Sequence, residues 1–270
     1  VAGPELDGAP DPGLVAALAA TRAWLVAARD PSGAWGYLEA SPPMLEPTVL
    51  AAAAGLPLPT DWAAAQAPSF GTLLLPAVAW DDAPDLAARA LSHVEQAAAE
   101  ETAAAEGHDG TIPGWGWVTG TSAWVEPTAY AVLSLRRAGK ADHPRCVDGL
   151  RLLRDRQCHD GGWNYGNPVT LGTPLDGQLA PTGWAVLALP PGDPAAPRGL
   201  ERLAAVHDEP STLALALAAL AYAEHRQDAG AILTVLAARV AGGHARGRVD
   251  LTALAAAALA AHLEGRRVFW

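Results

Sequence analysis

The feature that most constrains this 270-residue chain is a period. Apolar residues recur at helical spacing on segments cut by glycine and proline. Almost no stretch alternates with the period of two that a half-buried strand needs. Twelve segments can be read, and they are of two kinds. Those at about Pro12–Arg29, Thr60–Pro68, Pro84–Glu106, His143–Gln157, Ala196–Val206 and Arg226–Ala241 are amphipathic, with charges such as Arg22, Glu95, Arg151 and Arg202 on one face. Those at about Glu46–Ala54, Gly71–Trp80, Glu126–Arg137, Pro181–Leu189, Pro210–Ala223 and Asp250–Leu263 are apolar nearly all round, as a helix walled by other helices must be. The first kind reads as outer and the second as inner. They alternate at about 45 residues per hairpin, and in such repeats no hairpin buries its apolar face alone. An open solenoid would need a polar concave face. The inner segments have none, and the last, Leu251–Leu263, carries no solvating cap surface. The expected fold is therefore all-α, a single α/α toroid (α6/α6 barrel) of about six helical hairpins over residues 1–270, with 1–11 as a flexible N-terminal segment.

Composition narrows the partners. Half of the residues are hydrophobic and 17% are charged, which suits a large core and not disorder. The net charge is −11 and Lys140 is the only lysine, which argues against nucleic acid and against docking onto anionic lipid. Cys146 and Cys158 are too few for a disulfide framework or a thiolate metal cluster, so a reducing compartment is the default. Residues 1–12 carry neither a basic nor an apolar leader region, and the longest clean apolar run, Leu213–Ala223, falls short of the ~20 residues a membrane span needs. A cytoplasmic protein without a membrane-spanning segment is expected; peripheral membrane contact stays open. Abundant alanine, and arginine in preference to lysine, point to a GC-rich bacterial genome.

Two local signatures recur. One is a Gly-aromatic turn: Ser32-Gly33-Ala34-Trp35-Gly36-Tyr37, Pro113-Gly114-Trp115-Gly116-Trp117 and Asp160-Gly161-Gly162-Trp163-Asn164-Tyr165-Gly166. Glycine permits a tight turn out of an outer helix, and the tryptophan is expected to fold back into the junction between hairpins. The other opens inner helices: Glu46-Pro47-Thr48, Glu126-Pro127-Thr128, Ala180-Pro181-Thr182 and Glu209-Pro210-Ser211. Proline at the first helical position loses no hydrogen bond, and an acid ahead of it complements the positive helix end.

The run Gln157-Cys158-His159-Asp160-Gly161-Gly162-Trp163 resembles the Gln-x-x-Asp-Gly-x-Trp repeat of squalene–hopene cyclases. Over most of its length the chain is similar to the prenyltransferase and squalene-oxidase type repeats of the terpenoid cyclase and protein prenyltransferase superfamily. The Trp35 and Trp115 copies keep the Gly-aromatic core and lose the Gln. The resemblance implies a ring of hairpins around an apolar cavity, an isoprenoid ligand, and a Gln that caps a neighbouring helix and stacks on the Trp. In such cyclases the middle acid of an Asp-x-Asp-Asp-Thr motif protonates an alkene, and aromatic faces stabilise the cation. Here the motif is absent. Trp124-Val125-Glu126-Pro127-Thr128 places Glu126 at the middle acid, and Met44-Leu45-Glu46-Pro47-Thr48 places Glu46 there. The Asp-x-Cys and His zinc ligands of protein prenyltransferases are missing from the inner-helix starts, so neither a metal nor another cofactor is expected.

If the inner helices run parallel, Glu46, Glu126, Glu209 and Asp250 begin at one rim, where they can act as acid and base or simply complement helix ends. Glu126, Glu46 and Glu209 are the candidate catalytic residues. Trp124 and Trp184, near inner-helix starts, Trp115, Trp117 and Asn164, in loops, His207 beside Asp208, and Asp250 are the candidate ligand-binding residues. The leading expectation is an isoprenoid-handling protein, leaning towards a cyclase-like enzyme with an altered acid. A glycan-active α/α barrel with paired carboxylates, or a non-catalytic binding scaffold, are the alternatives.

Overall fold

The computed structural model describes residues 10–100, 107–207, 211–243 and 245–269. Among them are twelve α-helices, one for each segment read from the sequence. The inner ones are α2 (Leu45–Ala53), α4 (Phe70–Ala79), α6 (Val125–Arg137), α8 (Leu179–Ala188), α10 (Thr212–Glu224) and α12 (Val249–Leu263). The outer ones are α1 (Pro12–Ala27), α3 (Thr60–Ala64), α5 (Pro84–Gln96), α7 (Pro144–Asp155), α9 (Ala196–Leu203) and α11 (Gly230–Ala241). A 3₁₀ turn, Ala204–His207, follows α9, and a small hairpin, β1 (Val169–Thr170) with β2 (Thr173–Pro174), precedes α8. None of the described helices is long and apolar enough to cross a membrane.

Each inner helix packs on the next, and α12 packs on α2, so the inner layer closes into a ring. α5 backs α4, α7 backs α6, α9 backs α8 and α11 backs α10: an outer helix lies chiefly against the inner helix that precedes it. α1 differs from these four. It packs on α12 and α11, so the start of the chain completes the last hairpin and seals the ring. At the mouth, Val249 and Glu39 N–H donate to Tyr37 O (2.9 Å) and Gly247 O (3.0 Å). At the base, Arg22 reaches Ala54 O at 2.9 Å and Glu264 at 2.5 Å.

The two recurring signatures are halves of one joint. The backbone N–H groups of Trp35, Trp115 and Trp163 donate to the hydroxyls of Thr48, Thr128 and Thr182 at 3.0, 3.1 and 2.8 Å. Each indole N–H donates to a carbonyl in the last turn of an outer helix: Leu25 at 2.7 Å, Val94 at 2.9 Å and Leu153 at 2.6 Å. Those carbonyls belong to the last four of a helix, which have no partner inside it. The three tryptophans are buried, so the joint is both polar and dry. Gly33 and Gly161 enter it at φ +88°, a conformation that suits glycine.

Two expectations need correction, and one gains detail. Asp11 belongs to the fold and not to a flexible leader: it caps α1, accepting from Gly13 N–H at 2.7 Å. α5 ends at Gln96, well before Glu106, because the Arg145 guanidinium from α7 takes the Ala97 carbonyl at 2.6 Å and residues 98–100 pair with the loop 114–121. The side chain of Gln157 bonds the carbonyls of Gly161 and Ala195, both at 2.9 Å; Ala195 lies at the start of α9, so Gln157 ties its own turn to the next outer helix.

Replacing Thr182 with valine removes the acceptor for a buried tryptophan N–H. A loss of about 1–3 kcal/mol is expected in urea unfolding, whereas Thr182→Ser should retain most of the parent stability.

Candidate functional site

Glu46 and Glu126 occupy the same place in their helices, the second residue of α2 and of α6. Neither caps its helix; Met44 and Trp124 stand at those positions, without side-chain cap bonds. The two acids are separated by α4, which packs on both α2 and α6 and starts, at Phe70 and Gly71, against the backbone of Glu46. Gly71 permits this approach: a Cβ there would stand 2.5 Å from the Glu46 backbone nitrogen.

Tyr130 joins the acids. It follows Glu126 by four residues, one turn down the same face. Its hydroxyl donates to Glu46 Oε1 at 2.8 Å and lies 3.5 Å from Glu126 Oε1. The Tyr37 hydroxyl, from the first Gly-aromatic turn, donates to Glu46 Oε2. A phenol has one proton to give. With that proton directed to Glu46, the contact to Glu126 is satisfied when Glu126 is protonated and donates to the phenol oxygen. The electrostatics agree. Burial, then the Glu46 charge, push Glu126 up to about 8, against a weaker opposing effect of the Tyr130 hydroxyl. Burial also raises Glu46, opposed by its two tyrosine donors and reinforced by Asp250. Burial and the neighbouring carboxylates raise both tyrosines, so the phenols stay protonated. Burial thus favours a proton on the pair, and the geometry places it on Glu126, with Glu46 accepting from both phenols.

Beneath the array runs a ladder of rings. Trp117 leans on Phe70 (centroids 4.3 Å apart), Phe70 stacks on Tyr130 (4.6 Å, 22°), Trp184 meets Tyr130 edge-on (4.6 Å, 73°), and Phe269 lies 5.7 Å from Trp184. Trp184, like Tyr130 the sixth residue of its helix, and Phe269 are buried and pack beside Tyr130. Phe269 comes from the segment after α12.

The structure thus brings Glu46, Glu126 and Trp184 together and adds Trp117 at the edge. Asp250 joins the rim, paired to Arg248 at 2.9 and 2.5 Å, near enough for its charge to raise Glu46 and Tyr37. Trp124, 37% exposed, stands just above Glu126, with Gly166 against its ring. Trp115 and Asn164 are not free loop side chains. Trp115 is locked in its joint with the Arg145 guanidinium 4.0 Å over the ring. Asn164 is buried and braces its own turn through Asn167 O and Gly166 N–H. His207 is exposed at the end of the 3₁₀ turn, with nothing joining it to the array. Glu209 and Asp208 lie outside the described residues. Sequence reasoning missed Tyr37, Tyr130, Phe70, Arg248 and Phe269. The spacing of Glu126 and Tyr130 was a usable signal; the convergence of the others was not visible in the chain.

No family model matches the chain, and no curated protein matches it. Among solved structures it is similar to three of the type II terpene cyclase MstE from Scytonema. Two hold geranylgeranyl dihydroxybenzoate as substrate, with TM-scores of 0.32 and 0.33, and one holds merosterolic acid A as product, with a TM-score of 0.32. Identity is 13%, and the match covers 94% of this chain and 79 to 80% of those chains.

A carboxyl raised on folding binds protons more tightly in the folded state. Its stabilising contribution is full below the unfolded value of about 4.5 and is lost as pH rises through about 8, where Glu126 titrates. Thermal melts should therefore show the parent losing stability between these limits, and Glu126→Gln should flatten that part of the profile.

Proposed function

We propose that the chain binds an isoprenoid or similarly apolar, alkene-bearing ligand at the ring mouth and moves a proton on it, with Glu126 as acid and Glu46 as base. The observation that supports this reading is the pair of carboxyls sharing the Tyr130 hydroxyl at 2.8 and 3.5 Å, directly above a ladder of aromatic rings. A proton held to about pH 8 is available at neutral pH without metal or cofactor. Transfer from Glu126 to an alkene carbon leaves a carbocation, which the partly exposed rings of Trp117 and Trp124 at the edge of the array stabilise through their negative quadrupoles. Loss of a neighbouring proton to the Glu46 carboxylate restores neutrality and forms a new double bond. Tyr130, bonded to both, returns the proton by accepting from Glu46 and donating to Glu126. The net change is a double-bond shift or a ring closure. A carboxyl that titrates near 8 is a weak acid, so the step requires a ligand whose protonation gives a tertiary or allylic cation and depends on stabilisation of that cation by neighbouring rings.

A glycan-active enzyme fits less well. Its carboxyls flank a polar sugar, whereas here the pair is buried against Tyr130, Phe70 and Trp184. One observation favours a scaffold without chemistry: Trp184 and Phe269 are buried and pack beside Tyr130.

The test combines native mass spectrometry with squalene, geranylgeraniol and geranylgeranyl diphosphate with product analysis of each mixture. Glu126→Gln is expected to retain bound ligand and to lower turnover by about 10²–10⁴-fold. Binding without turnover in the parent would leave the scaffold reading; no binding of any isoprenoid would end the proposal.

A further inference from the structure

Beside the array, between α4, α5 and the loop Trp115–Thr119, lies a cavity of about 440 Å³, a size within the range of small-molecule sites. Pro68, Phe70, Leu73, Ala97, Trp117 and Val118 give it apolar walls. Phe70 is its partition from the acid array: one face borders the cavity and the ring stacks on Tyr130 at 4.6 Å. Trp117, 39% exposed, leans on that same ring and stands at the cavity edge. No lysine or arginine lines the cavity. Ser69 is engaged in the capping box of α4 and the Trp115 indole N–H in its bond to Val94 O, which leaves His93, the exposed Thr119 and the Trp117 indole N–H as its polar groups.

We infer that this cavity is a binding site for the hydrocarbon chain of a neutral isoprenoid, an alcohol or hydrocarbon and not a diphosphate, with His93 as hydrogen-bond partner for a hydroxyl head. The assignment of class rests on charge. A diphosphate brings several negative charges that need guanidinium or ammonium partners, and leaving them unpaired against apolar walls is costly. Such partners are absent from this lining, and the chain as a whole carries −11. Burial lowers His93, which keeps its imidazole neutral near pH 7 and able to donate or accept one bond. A branched chain meets instead the surfaces it prefers: proline, leucine, alanine and two aromatic faces. This inference rests on the isoprenoid reading above but not on the acid–base roles of Glu126 and Glu46.

Titration calorimetry with farnesol and farnesyl diphosphate tests it, on the parent chain, Ala98→Trp and His93→Phe. Ala98 borders the cavity and is exposed, so tryptophan there fills the space without entering the core. Farnesol is expected to bind the parent at least tenfold more tightly than the diphosphate. Ala98→Trp should weaken farnesol at least tenfold, and His93→Phe should weaken farnesol more than a fifteen-carbon hydrocarbon. Farnesol binding equally well to Ala98→Trp would overturn the site and leave the isoprenoid reading standing. Equal affinity for farnesyl diphosphate would overturn the assignment of ligand class. Failure of both probes to bind the parent would overturn the isoprenoid reading and this site with it.

Discussion

The joint between a tryptophan, a threonine and the end of an outer helix is the interaction on which the rest of this molecule depends. An α/α ring must turn the chain sharply at every hairpin while leaving no backbone donor or acceptor dry and unpaired. Trp35, Trp115 and Trp163 meet both demands with two N–H groups each, one on the inner-helix threonine and one on an outer-helix carbonyl. Because the threonine is two residues past the acid position, each joint also sets the height and rotation of an inner helix's first turn. Glu46 and Glu126 inherit their placement from Thr48 and Thr128.

Closure adds what repetition alone does not supply. In a linear array the terminal repeats must be capped against water. Here α1 covers α12, and the seams from Tyr37 to Val249 and from Arg22 to Glu264 fasten the first hairpin to the last. The same seam carries Tyr37 from the first turn and Asp250 from the last helix to the flank of Glu46, so the fastening that closes the ring also shapes the local field. Two carboxyls in such surroundings cannot both ionise cheaply. The shared proton follows from burial and mutual repulsion, with the phenols distributing it.

Much of the architecture could be read from the chain. Helical period, the alternation of amphipathic and wholly apolar segments, and the Gly-aromatic and Pro-Thr signatures located all twelve helices. Glu46 and Glu126 could be named because they stand at equivalent positions of repeated motifs. Trp115 and Asn164 show where such reading stops. Both sit in loops, where a freely facing side chain is the usual expectation, yet the hairpin junction buries them. Loop position is a local property, whereas burial depends on what the rest of the chain brings to the spot.

The sequence by itself determined the period, the helices and the acids at the heads of α2 and α6, because these depend on residues a few positions apart. Only the tertiary structure decided that α1 would complete the last hairpin and that α2 and α6, either side of α4, would present their acids to one tyrosine. It also decided that Phe70, Tyr130, Trp184 and Phe269 would stack through the ring. Glu46 and Tyr130 are 84 residues apart in the chain. Their contact, and the perturbed proton affinity it accompanies, arise from desolvation and Coulomb interactions that exist only once the ring has closed.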